Sequence, residues 1–240
     1  MSYAVLYNVF TCWMIAVIAL AAVRDLFRRP NISLAWYAYG WFWLLAALLW
    51  LLAGLRLLAY FFGYAWLDRF LFYGDETFMA AHVVAGVLFL AELLWQNRRR
   101  TYWSMVFVGG SMVAFLALLL VLGIQNTTAT SWASEHQLPR AAFLAFAPGY
   151  LYCVVLMVYA VLVETVSRWR AGAWRNGEFA LAATGMLFYA LAGVADVRGI
   201  WAGWQLLLIR VIYLAAALTA FWIGRSGQRR VQVVRAYEVD

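Results

Sequence analysis

Two arginines stand where a charged side chain is hardest to keep. Arg56 and Arg210 lie inside long apolar runs, where an ionisable group costs roughly 2.5–3.5 kcal/mol or more unless it finds a partner, water or an interface. Arg56 is about six residues, roughly 9 Å, from the end of its run at Phe62. It has two readings, a guanidinium that snorkels outward or one turned into the interior. Arg210 follows Trp201 by about nine residues, roughly 14 Å, which puts it near the middle of its run. It needs a carboxylate, a carbonyl cluster or water, and Asp196, at the end of the preceding run, is the candidate partner. Asp75 and Glu76 precede the third run, one to two turns before His82. All six residues fall at one depth, and the chemistry they offer is ligand binding by paired charges. Tyr150 and Tyr152 add hydroxyls at the same level.

Beside those tyrosines, Pro148-Gly149 reads as a hinge or helix break. Proline inside a helix removes a backbone hydrogen bond, which leaves carbonyls near Leu144 and Ala145 in need of a donor. A simple bend is the alternative. Towards the opposite side, Glu92 lies one turn before Trp95 and Gln96. It reads as an acceptor for Arg98, Arg99 and Arg100, or as an inner-side proton or ion-pair residue. Glu164 and Arg168, four residues apart, read as an ordinary interfacial helix pair.

Much chemistry is excluded. Every base is arginine and no lysine occurs, so a retinal Schiff base and lysine nucleophiles are ruled out. His82 is the one histidine inside the runs and His136 lies in a loop; a haem held by two membrane histidines is ruled out, while one axial imidazole to a haem or pigment stays open. The chain has no HExxH, GxSxG or GxxxxGK[ST] pattern. No metal ligand set and no catalytic residue is assigned, and the cofactor is unknown.

These residues need elements to carry them. With 67% hydrophobic and 12% charged residues among 240, against a globular norm of roughly 45–50% and about 25%, the composition is that of a membrane protein. Runs of about 20 apolar residues, the length that crosses the hydrocarbon, occur near Tyr3–Val23, Leu34–Phe62, Phe78–Gln96, Tyr102–Ile124, Ala141–Glu164, Phe179–Asp196 and Trp201–Gly224. The fold class is therefore all-α: a polytopic seven-transmembrane-helix bundle over residues 1–224, with a short basic cytoplasmic tail over 225–240. Thirteen of the eighteen arginines fall in alternate connections and the tail, which by the positive-inside rule puts the N-terminus outside and the C-terminus in the cytoplasm. The net charge of +7 is thus topological, and no nucleic-acid partner is expected.

The first run mimics a signal peptide at Ala19-Leu20-Ala21, yet its charges follow it instead of preceding it, so it reads as a retained helix. Cys12 and Cys153 fall within runs and indicate no disulfide framework. Asn126-Thr127-Thr128 matches a glycosylation pattern and reads as chance. Many of the 14 tryptophans flank run ends, as interfacial aromatics do; Trp36, Tyr39, Trp43 and Trp50 instead form a helical stripe, read as packing or as the lining of a flat-ligand pocket.

The expected function is a ligand-sensing or accessory subunit of a membrane complex, because the tail is too short for an output domain and catalytic patterns are absent. The expected partners are the lipid bilayer, a protein partner or second copy, and a small molecule in the outer pocket; the expected location is a bacterial plasma membrane. The alternatives are a small-solute transporter or channel of three-plus-one-plus-three type and a membrane enzyme or pigment or haem carrier using His82.

Overall fold

The computed structural model describes residues 3–29, 32–95, 97–171, 177–197 and 205–237, with backbone alone at 129, 164, 167–171, 197 and 227–237. Among the described residues seven α-helices alternate in direction: α1 Ala4–Phe27, α2 Leu34–Phe61, α3 Ala65–Trp95, α4 Arg98–Leu122, α5 Arg140–Ala171, α6 Glu178–Val197 and α7 Gln205–Tyr237. All seven are long and apolar enough to cross a membrane. Each packs on the next, α7 returns to α1, and α3 also touches α5, so the helices close into a ring.

Local chemistry sets the helix ends. Ser33 caps α2 by accepting from Trp36 N, and Asn97 caps α4 by accepting from Arg99 N and Arg100 N. At the end of α2, Tyr64 N donates to Ala59 O and Gly63 N to Tyr60 O. Gly63 takes φ +80° there, a left-handed stop that lets α3 begin almost at once.

The ring closes because α1 and α7 present small residues to each other. Ala16, Ala19 and Ala22 on α1 and Ala216, Ala217 and Ala220 on α7 are all buried, and small side chains let helix backbones approach closely. Gly224 makes the closest approach: a Cβ there would stand 3.1 Å from Ala22 O. Rings fill the interior. Tyr39, Phe42, Trp43 and Trp50, on the inward face of α2, pack with Phe89 of α3, Tyr189 of α6 and Tyr213 of α7. The aromatic stripe is therefore core, and Trp36 stacks on Phe179 with centroids 4.6 Å apart.

Three elements differ from the sequence reading. α3 begins at Ala65, about a dozen residues before Phe78, so Asp75 and Glu76 lie within a helix instead of ahead of one. Asp68, Arg69, Asp75 and Glu76 depress the local hydropathy, which hides the segment; pairing with Arg56 removes the cost that should have ended it. α5 runs unbroken through Pro148, and α7 continues past Gly224 to Tyr237. The Thr-rich connection folds into an antiparallel hairpin, β1 Asn126–Ala129 and β2 Ser134–Gln137, with Thr127 opposite His136. The end of the bundle that carries it is called the hairpin end below; the other is the arginine end.

Candidate functional site

At the arginine end Arg29 pairs with Glu178 at 3.4 Å and the buried Asp25 with Arg24 at 3.0 Å; the larger set of buried charges, at the hairpin end, forms two linked networks. In the first, Arg56 near the end of α2 faces α3. Its Nη1 donates to Asp75 Oδ2 at 2.6 Å and its Nε to Asp68 Oδ1 at 3.4 Å, while its guanidinium stands 4.8 Å over the Phe72 ring. Asp68, Phe72 and Asp75 share one helix face because they are spaced i, i+4 and i+7. The hairpin completes the network: His136 Nε2 lies 3.1 Å from Asp68 Oδ2, and its Nδ1 lies 2.9 Å from Thr127 Oγ1. The snorkelling reading of Arg56 is thereby replaced, since its side chain is 13% exposed and turned inward.

The second network surrounds Arg210. Its Nη1 donates to Asp196 Oδ2 at 2.7 Å and its Nε to Asn8 Oδ1 at 3.0 Å, and the guanidinium stands 4.7 Å over the Trp50 ring. Trp50 Nε1 in turn donates to Tyr189 OH at 3.0 Å. Every donor and acceptor here sits on a different helix from its partner, so the contacts join α1, α6 and α7, and α2 to α6. Asp75 lies within Coulombic reach of Arg210 and Asp196 as well as of Arg56, so the two networks form one charged layer.

Three contacts seat the hairpin on that layer. Trp132 O accepts from Asn8 Nδ2 at 3.4 Å, Thr130 O accepts from Tyr60 OH at 2.9 Å, and His136 meets Asp68. A connection between α4 and α5 thereby spans α1, α2 and α3. Replacing His136 with alanine is expected to remove the one ionisable contact among these, at about 1–3 kcal/mol for the buried Asp68 oxygen left unsatisfied. The measurement is hydrogen exchange of residues 126–137. Protection unchanged from the parent protein would show that His136 does not latch the hairpin.

The remaining sequence candidates divide. Tyr150 OH donates to Ala190 O at 2.6 Å and lies beside the layer, near Gly193 and Tyr213. Tyr152 faces the other way, its OH 2.7 Å from Ser104 Oγ on α4, and stays out of the layer. His82 sits further in, with Nδ1 3.3 Å from Phe78 O and its ring edge-on to Phe42 and Tyr189. It borders a cavity of about 10 Å³ shared with Tyr150, Cys153 and Met157, which has room for roughly one water and not for a macrocycle. Glu92 stands half-buried near the arginine end, apart from the layer. The side chains of Glu164 and Arg168, and Gln96, Arg198 and Trp201, lie outside the described residues.

Pro148-Gly149 meets α4. Ser111 Oγ accepts from Gly149 N at 3.1 Å and donates to Ala145 O at 2.5 Å. One hydroxyl is thus spliced between a donor and acceptor that face each other one turn apart in α5. A side chain at 149 is excluded by contact: its Cβ would stand 2.8 Å from both Ser111 Oγ and Met112 Cε.

Asn8, Asp68, His136 and Ser111 were not identified from the sequence. Asp68 carried a signal in its seven-residue spacing from Asp75, and Asn8 in being an amide within an apolar run. Among the described residues no three His, Cys, Asp or Glu side chains converge as a metal site requires. No protein-family model, curated protein or solved structure matches this chain.

Proposed function

We propose that the chain is a non-enzymatic multi-pass membrane protein, a ligand-sensing or accessory subunit of a larger membrane complex, with its hairpin end outside and its arginine end in the cytoplasm of a bacterial plasma membrane. The observation that carries this reading is the closed, charge-paired layer under the hairpin. A transport path would string polar groups along the bundle; here buried charges sit towards the two ends, with Arg29 paired to Glu178 at the arginine end, and the rings of Phe42, Trp43 and Tyr189 fill the interior between. Catalysis would need a nucleophile or base facing open space, whereas His82 borders room for a single water. The alternation of thirteen arginines along the sequence supports the orientation. Apolar side chains such as Val106, Phe107, Val113 and Leu120 face outward on α4, as lipid or a partner helix requires.

Purification from its native membrane in mild detergent is expected to return the protein in a stoichiometric complex, with itself or with another membrane protein. A monodisperse, partnerless protein that moves solute across reconstituted vesicles would favour the transporter reading.

A further inference from the structure

We propose that His82, Cys153 and Met157 form a site for one monovalent copper ion, Cu(I), between α3 and α5. The three side chains line one cavity of about 10 Å³, and all three residues are buried, at 6%, 2% and 2% exposure. Cys153 and Met157 are four residues apart on α5, the spacing that puts two side chains on one helix face. His82 reaches the same cavity from α3, which packs on α5.

The imidazole is oriented as a ligand. Phe78 O can only accept, so its 3.3 Å contact with Nδ1 places the ring proton there and leaves the Nε2 lone pair without a hydrogen-bond partner among the described residues. A histidine that holds a metal gives its other N–H to a carbonyl or carboxylate in the same way, which fixes the tautomer and the ring direction. Phe42 and Tyr189, edge-on with centroids 5.2 Å and 5.7 Å away, hold the ring in place.

The donors select the ion. Thiolate and thioether sulfur with imidazole make a soft set that suits Cu(I), whereas magnesium, calcium and manganese take oxygen and structural zinc takes four ligands. Because the third donor is a thioether, the site is compatible with the absence, among the described residues, of three converging His, Cys, Asp or Glu side chains. The charge agrees as well. Entry of Cu(I) releases the thiol proton, S–H giving S–Cu and H⁺, so an uncharged cavity stays uncharged. A divalent ion would leave a net positive charge among Phe42, Val83 and Val154, where an unpaired charge is costly. Water is the competing occupant, but sulfur is a weak hydrogen-bonding partner, and Tyr150, also in the lining, gives its hydroxyl hydrogen to Ala190 O. The site lies about two turns further in along α3 than Asp75, outside the charged layer, and binding there does not require that the protein be a subunit of a complex.

The test uses the whole protein in detergent, without oxygen, with Cu(I) offered as its coloured complex with bicinchoninate. The parent protein is expected to withdraw one copper per chain, and X-ray absorption at the copper edge should show two sulfur neighbours and one nitrogen. Cys153→Ser is expected to weaken binding by about 100-fold or more, since loss of an outer-shell partner alone costs roughly 10–100-fold. Met157→Leu, which nearly keeps the volume, should weaken it by about tenfold or more. Cys12→Ser, at the other thiol, should bind as the parent does. A parent that leaves the bicinchoninate complex intact overturns the proposal and leaves the cavity to water. So does copper that is retained by Cys153→Ser. Should the variants not fold, the absorption spectrum of the parent decides alone: copper without sulfur neighbours rules the site out.

Discussion

Arg210→Ala is expected to destabilise the bundle by about 3 kcal/mol, the largest single effect at the charged layer. Breaking a buried ion pair by removing one partner costs roughly 3–5 kcal/mol, since the other charge stays behind uncompensated. The low end applies because the Asp196 side chain is 27% exposed while that of Arg210 is only 9% exposed, so water takes up part of the lost interaction. The substitution also leaves Asn8 Oδ1 with only the weak Cys12 Sγ donor and strips Trp50 of the cation above its ring. Equilibrium unfolding in mixed micelles measures the loss. A double change, Arg210→Met with Asp196→Leu, separates charge from packing: it should recover most of the stability, because an apolar pair of similar volume often matches a buried salt bridge. If Arg210→Ala unfolds at the same denaturant concentration as the parent, the layer is not a structural unit.

The second large effect is expected at Ser111. Its hydroxyl satisfies both Gly149 N–H and Ala145 C=O, so Ser111→Ala leaves two backbone groups without that partner, at about 1–3 kcal/mol each where they are buried. Such a loss could also reflect poorer packing between α4 and α5, and a double-mutant cycle distinguishes the two. Pro148→Ala restores an amide hydrogen at 148 and lets α5 relax towards regular geometry, in which Gly149 N can bond Ala145 O directly. The cost of Ser111→Ala should then shrink by about half or more in the Pro148→Ala background. Equal cost in both backgrounds would mean that the hydroxyl does not mend the proline break.

The seven helices were legible in the sequence because crossing length and arginine alternation are properties of the chain taken one segment at a time. Arg56 and Arg210 were legible for a related reason: a charge in an apolar run demands explanation wherever its partner is. The partners were harder to read. Asp196 was found because it neighbours Arg210 across a single connection, whereas Asn8 comes from the far end of the chain and carries no charge to mark it. His136 was set aside as a loop residue, because only the hairpin and its seat on α3 bring it to Asp68. The start of α3 was misplaced by the charges that now explain it. Hydropathy counts Asp68 and Asp75 against an apolar run, whereas in the helix both pair laterally with Arg56. The need for a donor near Ala145 could be deduced from Pro148; that Ser111 supplies it depends on how α4 lies against α5.

The separation of Asn8 from Arg210, 202 residues, also sets the order in which the molecule can be completed. During synthesis α1 emerges long before its counterpart exists, and Asn8 and Asp196 must wait for α7 to emerge. Contacts between residues so distant in the chain form late, because the intervening loop must close first. A nascent chain arrested before Arg210 therefore carries Asp196 without its cation and presents the small-residue face of α1 uncovered. α7 thus acts as the keystone of the ring: until it is seated, neither the charged layer nor the bundle around it is closed.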